Sequence, residues 1–290
     1  MDGAEKLPIR AAWSAYRSDP HWVRKSLLGG LAYAIPVIGP FAVIAYLVAY
    51  ERRVAWGMDR PLPPVGDGNS LARRAVEVLV GTLVWGLPVY VVVIPITLVW
   101  SVALAAIVVS RDIATIVIGG LLWALALFVV VGSLSVTYAV VLQAAVARYA
   151  IFDRLSAFWE WRAVFESLRG RWQRLLDAMV RLWLLATAAV FAVMSVVAVL
   201  GAVVFAAVAT LAIASAANHD TSALVPFGLI GGELAFATLQ GLFLVAVYAV
   251  IFPVQAIGHH VYGQWARHAY EIDRPRDQAP LDEAGRLTGG

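Results

Sequence analysis

Long apolar stretches alternate with short clusters of charged residues along this chain. Residues 26–50, 78–110, 113–147, 182–217 and 234–258 contain no Asp, Glu, Lys or Arg. Each stretch exceeds the roughly 18 to 20 apolar residues that indicate a membrane-spanning helix. The pattern therefore predicts an all-α membrane protein. A signal peptide followed by a soluble domain does not fit, because equally apolar stretches recur to the end of the chain.

The first apolar stretch differs from the others because Pro36, Gly39 and Pro40 interrupt it near its middle. Proline removes a backbone donor and clashes with the preceding turn, so two half-helices are expected. Each half is about 18 Å long, too short to cross a hydrocarbon core of about 30 Å. The sequence predicts a re-entrant helical hairpin over residues 26–50. The alternative is a single kinked helix that spans the membrane.

The remaining apolar stretches predict four long transmembrane helices, arranged as two hairpins. The pairs are residues 75–110 with 113–147, and residues 176–217 with 226–262. Together with the re-entrant hairpin they form a helical membrane domain over residues 26–262. Residues 1–25 are predicted to be a cytoplasmic or interfacial segment, and residues 263–290 a cytoplasmic tail.

Basic residues cluster between the apolar stretches, and nearly all of them can share one side of the membrane. If the first stretch re-enters, Arg111 is the one exception among the 22 Lys and Arg residues. Loops rich in Lys and Arg face the cytoplasm. We therefore expect both termini of this multi-pass protein to be cytoplasmic.

A short phrase, Arg-x-Ala followed by Asp-Arg, recurs where each predicted hairpin returns to the cytoplasm, at residues 53–60, 148–154 and 267–274. Arginine at a helix C-terminus suits the negative end of the helix dipole and reaches lipid headgroups. We predict contacts with anionic headgroups at Arg52, Arg53, Arg60, Arg148, Arg154, Arg267 and Arg274. Shared interface chemistry explains the recurrence; duplication of a hairpin unit is the weaker alternative.

Residues 154–172 have the pattern of an amphipathic helix. One face carries Leu155, Phe158, Trp161, Phe165, Leu168 and Trp172. Aromatic residues opposite arginines are typical of a helix that lies in the membrane surface, here on the cytoplasmic side. Residues 9–17 form a shorter version. The alternative is a cytoplasmic helix packed on the bundle.

The last apolar stretch carries a polar seam. At 100° per residue, six side chains fall in one sector of about 100°. They are Glu233, Gln240, Tyr248, Gln255, His259 and Tyr262. Ionisable groups within a membrane often mark a solute pathway or a proton site. Hydrogen bonding between helices is the alternative.

Sequence signatures of catalysis are missing. The chain has no Cys, no His-Glu-x-x-His, no Gly-x-Ser-x-Gly and no phosphate-binding Gly-Lys-Ser/Thr. His259 and His260 are adjacent, so a helix points them about 100° apart, which is poor for joint metal binding. We expect no enzyme activity, no cofactor, no metal and no nucleic-acid partner.

Residues 22–67 resemble a prokaryotic family catalogued as domain of unknown function 4013. The resemblance lies in Trp22, Gly29-Gly30, the 35–40 break, Tyr46-Leu47, Arg52-Arg53, Ala55, Gly57, Leu62-Pro63 and Asp67. Residues 147–150 also match the family's pattern, whereas Ala45, Pro64 and Val65 depart from it. The resemblance implies a polytopic protein of the prokaryotic cell (inner) membrane. It implies no catalytic residues.

Two functions are consistent with these features. The first is a non-enzymatic scaffold or accessory subunit that organises lipid or a partner protein. It is expected to be oligomeric, because the uncharged stretches 78–110 and 113–147 are about 50 Å long as helices, well beyond the hydrocarbon thickness. The second is a transporter or channel for a small or lipid-like solute that uses the polar seam.

Overall fold

The structure is a computed structural model that describes residues 9–36, 38–58, 62–63, 68–109, 112–217, 224–270 and 272, with side chains between 204 and 242 described in part. These residues are almost entirely helical. In chain order the helices are α1 (Ile9–Arg17), α2 (Trp22–Tyr33), α3 (Ile38–Ala55), α4 (Gly68–Val109), α5 (Ile113–Phe152), a 3₁₀ helix (Leu155–Trp159), α6 (Trp161–Leu168), α7 (Trp172–Ala217) and α8 (Leu224–Ala269).

Four of these helices are long and apolar enough to cross a membrane. The candidate spans are Asn69–Val109, Ile113–Phe152, Trp172–Val203 and Phe243–Ala269. The prediction of four long apolar helices in a membrane protein is confirmed. Pro88 and Pro95 lie inside α4 and Pro253 lies inside α8, and neither helix is interrupted there.

The long helices extend further at their charged ends than the sequence predicted. α4 begins at Gly68 instead of 75, α7 begins at Trp172 instead of 176, and α8 ends at Ala269 instead of 262. The prediction stopped each helix near the edge of its apolar stretch. Arg and Glu are good helix formers, so the helix continues past that point.

The break at Pro36 separates two helices that fold back on each other. Backbone N–H groups of Ile38 and Gly39 donate to Pro36 O (2.8 Å) and Ile35 O (3.1 Å) within the turn. Gly39 lies so close to α2 that a Cβ added there would be 1.7 Å from the carbonyl oxygen of Ala32. Close contact at the turn thus explains why glycine stands at this position.

Both helices of this α2–α3 hairpin pack against the C-terminal half of α8. Gly30 of α2 approaches the backbone of Ala249, and Val54 of α3 packs against Gly263. Tyr33, next to the turn of the hairpin, stacks on Tyr248, whereas Val54 lies fifteen residues further along α8 at Gly263. Trp22, at the start of α2, lines one groove with Ile257. The chain therefore enters and leaves the hairpin at the same end of α8.

Packing is concentrated at that end of the molecule. We call this region the base: α1, α2, α3, the 3₁₀ helix, α6, and the adjoining ends of the four long helices. Its largest core cluster includes the fully buried Tyr149, Phe158 and Leu175. The remaining lengths of the long helices, which we call the arms, expose apolar side chains; Val91 is 71% exposed and Phe128 is 77% exposed.

The prediction of one amphipathic helix over residues 154–172 is wrong in detail. The segment is divided into the 3₁₀ helix, α6 and the start of α7, with Gly170 at a φ of +73° before α7. At the first division, Glu160 turns back to accept hydrogen bonds from two arginines of the preceding segment. Phe158 is buried in the core, whereas Trp161 and Phe165 are exposed.

The close approach at Gly39 yields a direct test. Gly39→Ala is expected to destabilise the fold by about 1–3 kcal/mol, because its Cβ meets a backbone oxygen that cannot move independently. Gly120→Ala on α5 is the matched control, since nothing lies within 4 Å of a Cβ there. Thermal unfolding in detergent measures both. Equal effects at the two positions would contradict this packing.

Candidate functional site

Three arginines from two helices converge on the carboxylate of Asp153 in the base. Arg52 Nη1 of α3 lies 2.5 Å from Asp153 Oδ2. From α4, Arg73 Nη2 donates to Oδ2 at 3.1 Å and Arg74 donates to both oxygens at 3.1 and 3.2 Å. One carboxylate thus ties the end of α5 to α3 and α4.

Asp153 is positioned by the way in which α5 ends. Its backbone adopts the left-handed conformation, with φ 49°, and its N–H donates to Tyr149 O at 2.8 Å. Asp and Asn tolerate this conformation better than most residues do. This turn aims the carboxylate at the arginines.

Burial and the opposite charges together set the pKa values of Asp153 and Arg52. Desolvation acts to raise the pKa of Asp153, but hydrogen bonding from Arg74 and the charges of Arg52 and Arg74 outweigh it, so the pKa is lowered. Burial lowers the pKa of Arg52 to about 10, although Asp153 opposes that shift. Both groups therefore stay charged at neutral pH, and each depends on the other for compensation.

A second carboxylate, Glu160, pairs with arginines of the neighbouring turn. It accepts hydrogen bonds from Arg148 and from Arg154, the latter at 2.7 Å. The Arg148 guanidinium also lies over the rings of Phe152 (4.7 Å) and Tyr270 (5.3 Å). Together with Arg52, Arg73, Arg74 and Asp153, these charged residues form what we call the charged layer.

The recurring phrases meet at this layer. From the first copy, Trp56 Nε1 donates to Ile151 O of the second copy at 3.4 Å. Gly57 adopts a φ of +71°, and Arg267 of the third copy lies against it. The phrases therefore mark contacts between hairpin ends. Asp59, Arg60, Asp273 and Arg274 lie outside the described residues.

The arginines expected at lipid headgroups occupy different environments. Arg52 and Arg148 are buried, at 5% and 9% exposed, and pair with carboxylates. Arg53 is partly buried, and Arg154 and Arg267 are exposed. Headgroup contact stays a prediction for the exposed pair, whereas the geometry of Arg52 and Arg148 favours a role inside the protein.

The C-terminal half of the polar seam faces the α2–α3 hairpin. Gln255 accepts a hydrogen bond from Tyr33, and the Tyr33 ring stacks on Tyr248 with centroids 5.3 Å apart. One turn further, His259 Nδ1 lies 2.6 Å from Glu51 Oε2. These seam residues thus bond to neighbouring helices.

The other described seam residues, Tyr262 and Gln240, lie in different environments. Tyr262 packs its ring against His259, with centroids 5.9 Å apart. Gln240 is exposed on the arm of α8. The side chain of Glu233 lies outside the described side chains. Among the described side chains, the seam thus meets α2 and α3 along the base.

Glu51 is the most deeply buried carboxylate among the described residues, at 0% exposed. Burial raises its pKa, although the hydrogen bond and charge of His259 oppose the shift. Its Oε1 has no hydrogen-bond partner among the described atoms, which is costly for a buried acceptor. Among the described residues no cluster of three or more His, Cys, Asp or Glu is arranged to hold a metal.

Sequence reasoning missed the carboxylates that organise this region. Glu51, Glu77 and Glu160 each lie within three residues of an arginine in the sequence. Glu77, for example, accepts a hydrogen bond from the hydroxyl of Tyr149 at 2.5 Å. The sequence signal that could have identified these residues is a carboxylate that lies within a cluster of basic residues.

Loss of the Asp153 charge is expected to weaken the base. Asp153→Asn keeps the shape and the left-handed conformation but leaves the buried Arg52 uncompensated, so unfolding should become easier by about 3–5 kcal/mol. Asp177→Asn is the matched control, since Asp177 is 54% exposed and pairs with Arg181 one turn along α7. That control should change stability by less than about 0.5 kcal/mol. Chemical denaturation in detergent measures both, and a neutral Asp153→Asn would contradict the assignment.

Comparison with known proteins identifies a family for this architecture. The family described as Protein of unknown function (DUF4013) matches residues 28–202. The matched stretch contains most of the α2–α3 hairpin, all of α4, α5 and α6, and Asp153 with its arginine partners. No curated protein and no solved structure matches the chain. Because the match covers more than half of its length, the chain belongs to the DUF4013 family.

Proposed function

We propose that the protein is a non-enzymatic membrane scaffold that organises lipid or holds a partner protein. The observation that carries this proposal is the use of polar seam residues for packing, as in the Tyr33–Gln255 and Glu51–His259 pairs. The arms, in contrast, present apolar side chains outward. A base held together by polar contacts, combined with a large apolar outer surface, suits a protein that binds and organises lipid or a partner protein.

In this proposal the base faces the cytoplasm of a prokaryotic cell and the α2–α3 hairpin re-enters the inner membrane from that side. α2 has 12 residues, so it is about 18 Å long and cannot span the hydrocarbon core. The tip of the hairpin favours contact with lipid, because Ile35 and Ile38 are 55% and 72% exposed. Both termini are then cytoplasmic, in keeping with the positive-inside rule.

α1 and α6 are proposed to lie in the headgroup region. α1 exposes Trp13 and Arg17. α6 exposes Trp161 and Phe165, and its Arg162 is also exposed. Aromatic side chains and arginines side by side are typical of the membrane–water interface.

The length of the arms supports an oligomer or a membrane-protein partner. The charge-free part of α4, residues 78–109, is about 48 Å long, well beyond the hydrocarbon thickness of about 30 Å. Tilt accommodates part of that excess. Apolar surface that reaches beyond the lipid requires cover from protein, so we propose that other copies of this chain or another membrane protein supply it.

One observation favours the alternative, transport of a small or lipid-like solute. Glu51 is fully buried with an unpartnered Oε1 next to His259, and buried ionisable groups in membrane proteins often belong to proton or ion pathways. A transport function requires the seam to conduct beyond the base, through Gln240.

Two identical substitutions on α8 separate the proposals. Gln255→Leu removes the partner of the Tyr33 hydroxyl and is expected to cost about 1–3 kcal/mol of stability. Gln240→Leu, at an exposed seam position, should be neutral. Thermal unfolding measures stability, and proton flux in proteoliposomes with a pH-sensitive dye measures transport. A scaffold gives no flux in any form. Protein-dependent flux that both substitutions alter would contradict the scaffold and favour a pathway.

The proposed topology is tested by cysteine labelling, since the native chain has no Cys. Single Cys residues at Ser18, Ser70, Ser156 and Thr221 are exposed to an impermeant thiol reagent in intact cells. Only Thr221→Cys should react before lysis, because the other positions are placed in the cytoplasm. Labelling of Ser18→Cys without labelling of Ser70→Cys would contradict re-entry and favour a spanning first segment.

A further inference from the structure

An apolar groove of about 650 Å³ opens between α1, α2, α7 and α8. Its lining includes Trp13, Leu27, Leu185, Val250 and Val254. A second apolar groove, of about 550 Å³, runs between α7 and α8 and shares Val250 with the first. The two follow one another along α7, from Leu185 to Gly201, a length of about 24 Å.

The groove begins where the charges of α7 end. Arg181 is the last charged residue of α7, and the next residue, Leu182, packs in one cluster with Ala12 of α1. α1 therefore lies at the level where the polar surface of α7 gives way to its apolar surface. A ligand in the groove has its apolar part along Leu185 and Val250 and its polar part near α1.

The polar end of the groove is positively charged. Arg10 lines it and is exposed, and α1 contains no acidic residue. Arg17, on the same helix, lies 5.8 and 5.7 Å from the rings of Trp13 and Trp22. The nearby carboxylate of Asp19 is paired with Lys25 at 2.7 Å. The charge at this mouth thus complements an anion.

We propose that the groove binds an anionic glycerophospholipid, with an acyl chain along α7 and α8 and the phosphate at Arg10. The volume of 650 Å³ lies within the range of about 300–1,000 Å³ usual for small-ligand sites. One turn of a helix about 10 Å across and 5.4 Å long occupies about 400 Å³, so the groove holds little more than one turn of a partner helix. Charge and volume together favour a lipid.

The test compares phosphatidylglycerol with phosphatidylcholine of the same acyl chains, by native mass spectrometry of the protein in non-ionic detergent. Wild type should carry more phosphatidylglycerol. Arg10→Gln should reduce that preference about fivefold, the equivalent of one basic residue near an anionic surface. Arg24→Gln is the matched control, since Arg24 is exposed on α2 outside the groove. Equal losses in both variants would overturn the proposal.

The apolar part of the site has its own pair of variants. Leu185→Trp fills the groove and should lower binding of both lipids, whereas Leu184→Trp, on the neighbouring exposed position outside the lining, should not. Unchanged lipid binding in Leu185→Trp overturns the proposal. If Leu185→Trp instead shifts the oligomeric state without changing lipid binding, the proposal is also overturned, because a second copy of the chain then covers the groove.

This inference deepens the scaffold proposal and rests on it for its membrane setting. Their failures are distinguishable, because lipid binding in detergent is measured without reference to orientation or transport. Loss of headgroup preference with a correct cysteine-labelling pattern refutes only the lipid site. Proton flux with intact headgroup preference refutes only the scaffold.

Discussion

The pairing of Asp153 with the buried Arg52 and the partly buried Arg74 is the interaction on which the rest of the structure depends. Arg52 from α3 and Arg74 from α4 reach the carboxylate that terminates α5. An unpaired charge at such a depth is strongly unfavourable, so these three helix ends have few alternative arrangements. Specific ionic contacts therefore fix how the helices meet in the base, and apolar packing of Tyr149 and Phe158 fills the space around them.

The need for specific polar contacts explains why packing is concentrated in the base while the arms expose apolar side chains. Inside a lipid bilayer, apolar side chains gain little by leaving lipid for protein, so helices associate through polar pairs and close backbone contacts. The base has both kinds of contact: Glu51 with His259 and Tyr33 with Gln255, and the backbone approach of Gly30 to Ala249. In the arms, Trp123 Nε1 of α5 donates to Trp100 O of α4 at 2.7 Å, but the described side chains there form no side-chain pairs like those of the base, and their outer faces expose apolar side chains.

Some of this architecture was predictable because it follows from local sequence. Charge-free stretches predicted the four long helices, and Pro36 with Gly39 predicted the break between α2 and α3. The periodicity of residues 154–172 wrongly predicted one continuous helix. The helix is divided at Glu160, which accepts hydrogen bonds from Arg148 and Arg154, and such contacts cannot be read from helical periodicity. Likewise Arg52 and Arg53 are adjacent and chemically identical. Only the fold shows that Arg52 faces Asp153 while Arg53 lies on another side of α3.

The polar seam illustrates the same limit. Its spacing on α8 was visible in the sequence, but whether it faced water or protein depended on the position of the α2–α3 hairpin. The structure places Tyr33 and Glu51 of that hairpin against it, and these contacts favour packing over a pathway along this part of the seam. The family match over residues 28–202 leaves the whole seam outside the matched region, so its role rests on this chain's own contacts.

The central claim is that the Arg52–Asp153 pair couples α3 to the end of α5. A double-mutant cycle on unfolding stability in detergent, with Arg52→Met, Asp153→Asn and both together, measures that coupling directly. If each charge compensates the other, the double variant should be more stable than the sum of the single losses implies, with a coupling of about 1–3 kcal/mol. Additive losses within about 0.5 kcal/mol would show that the two residues act independently and would contradict the account.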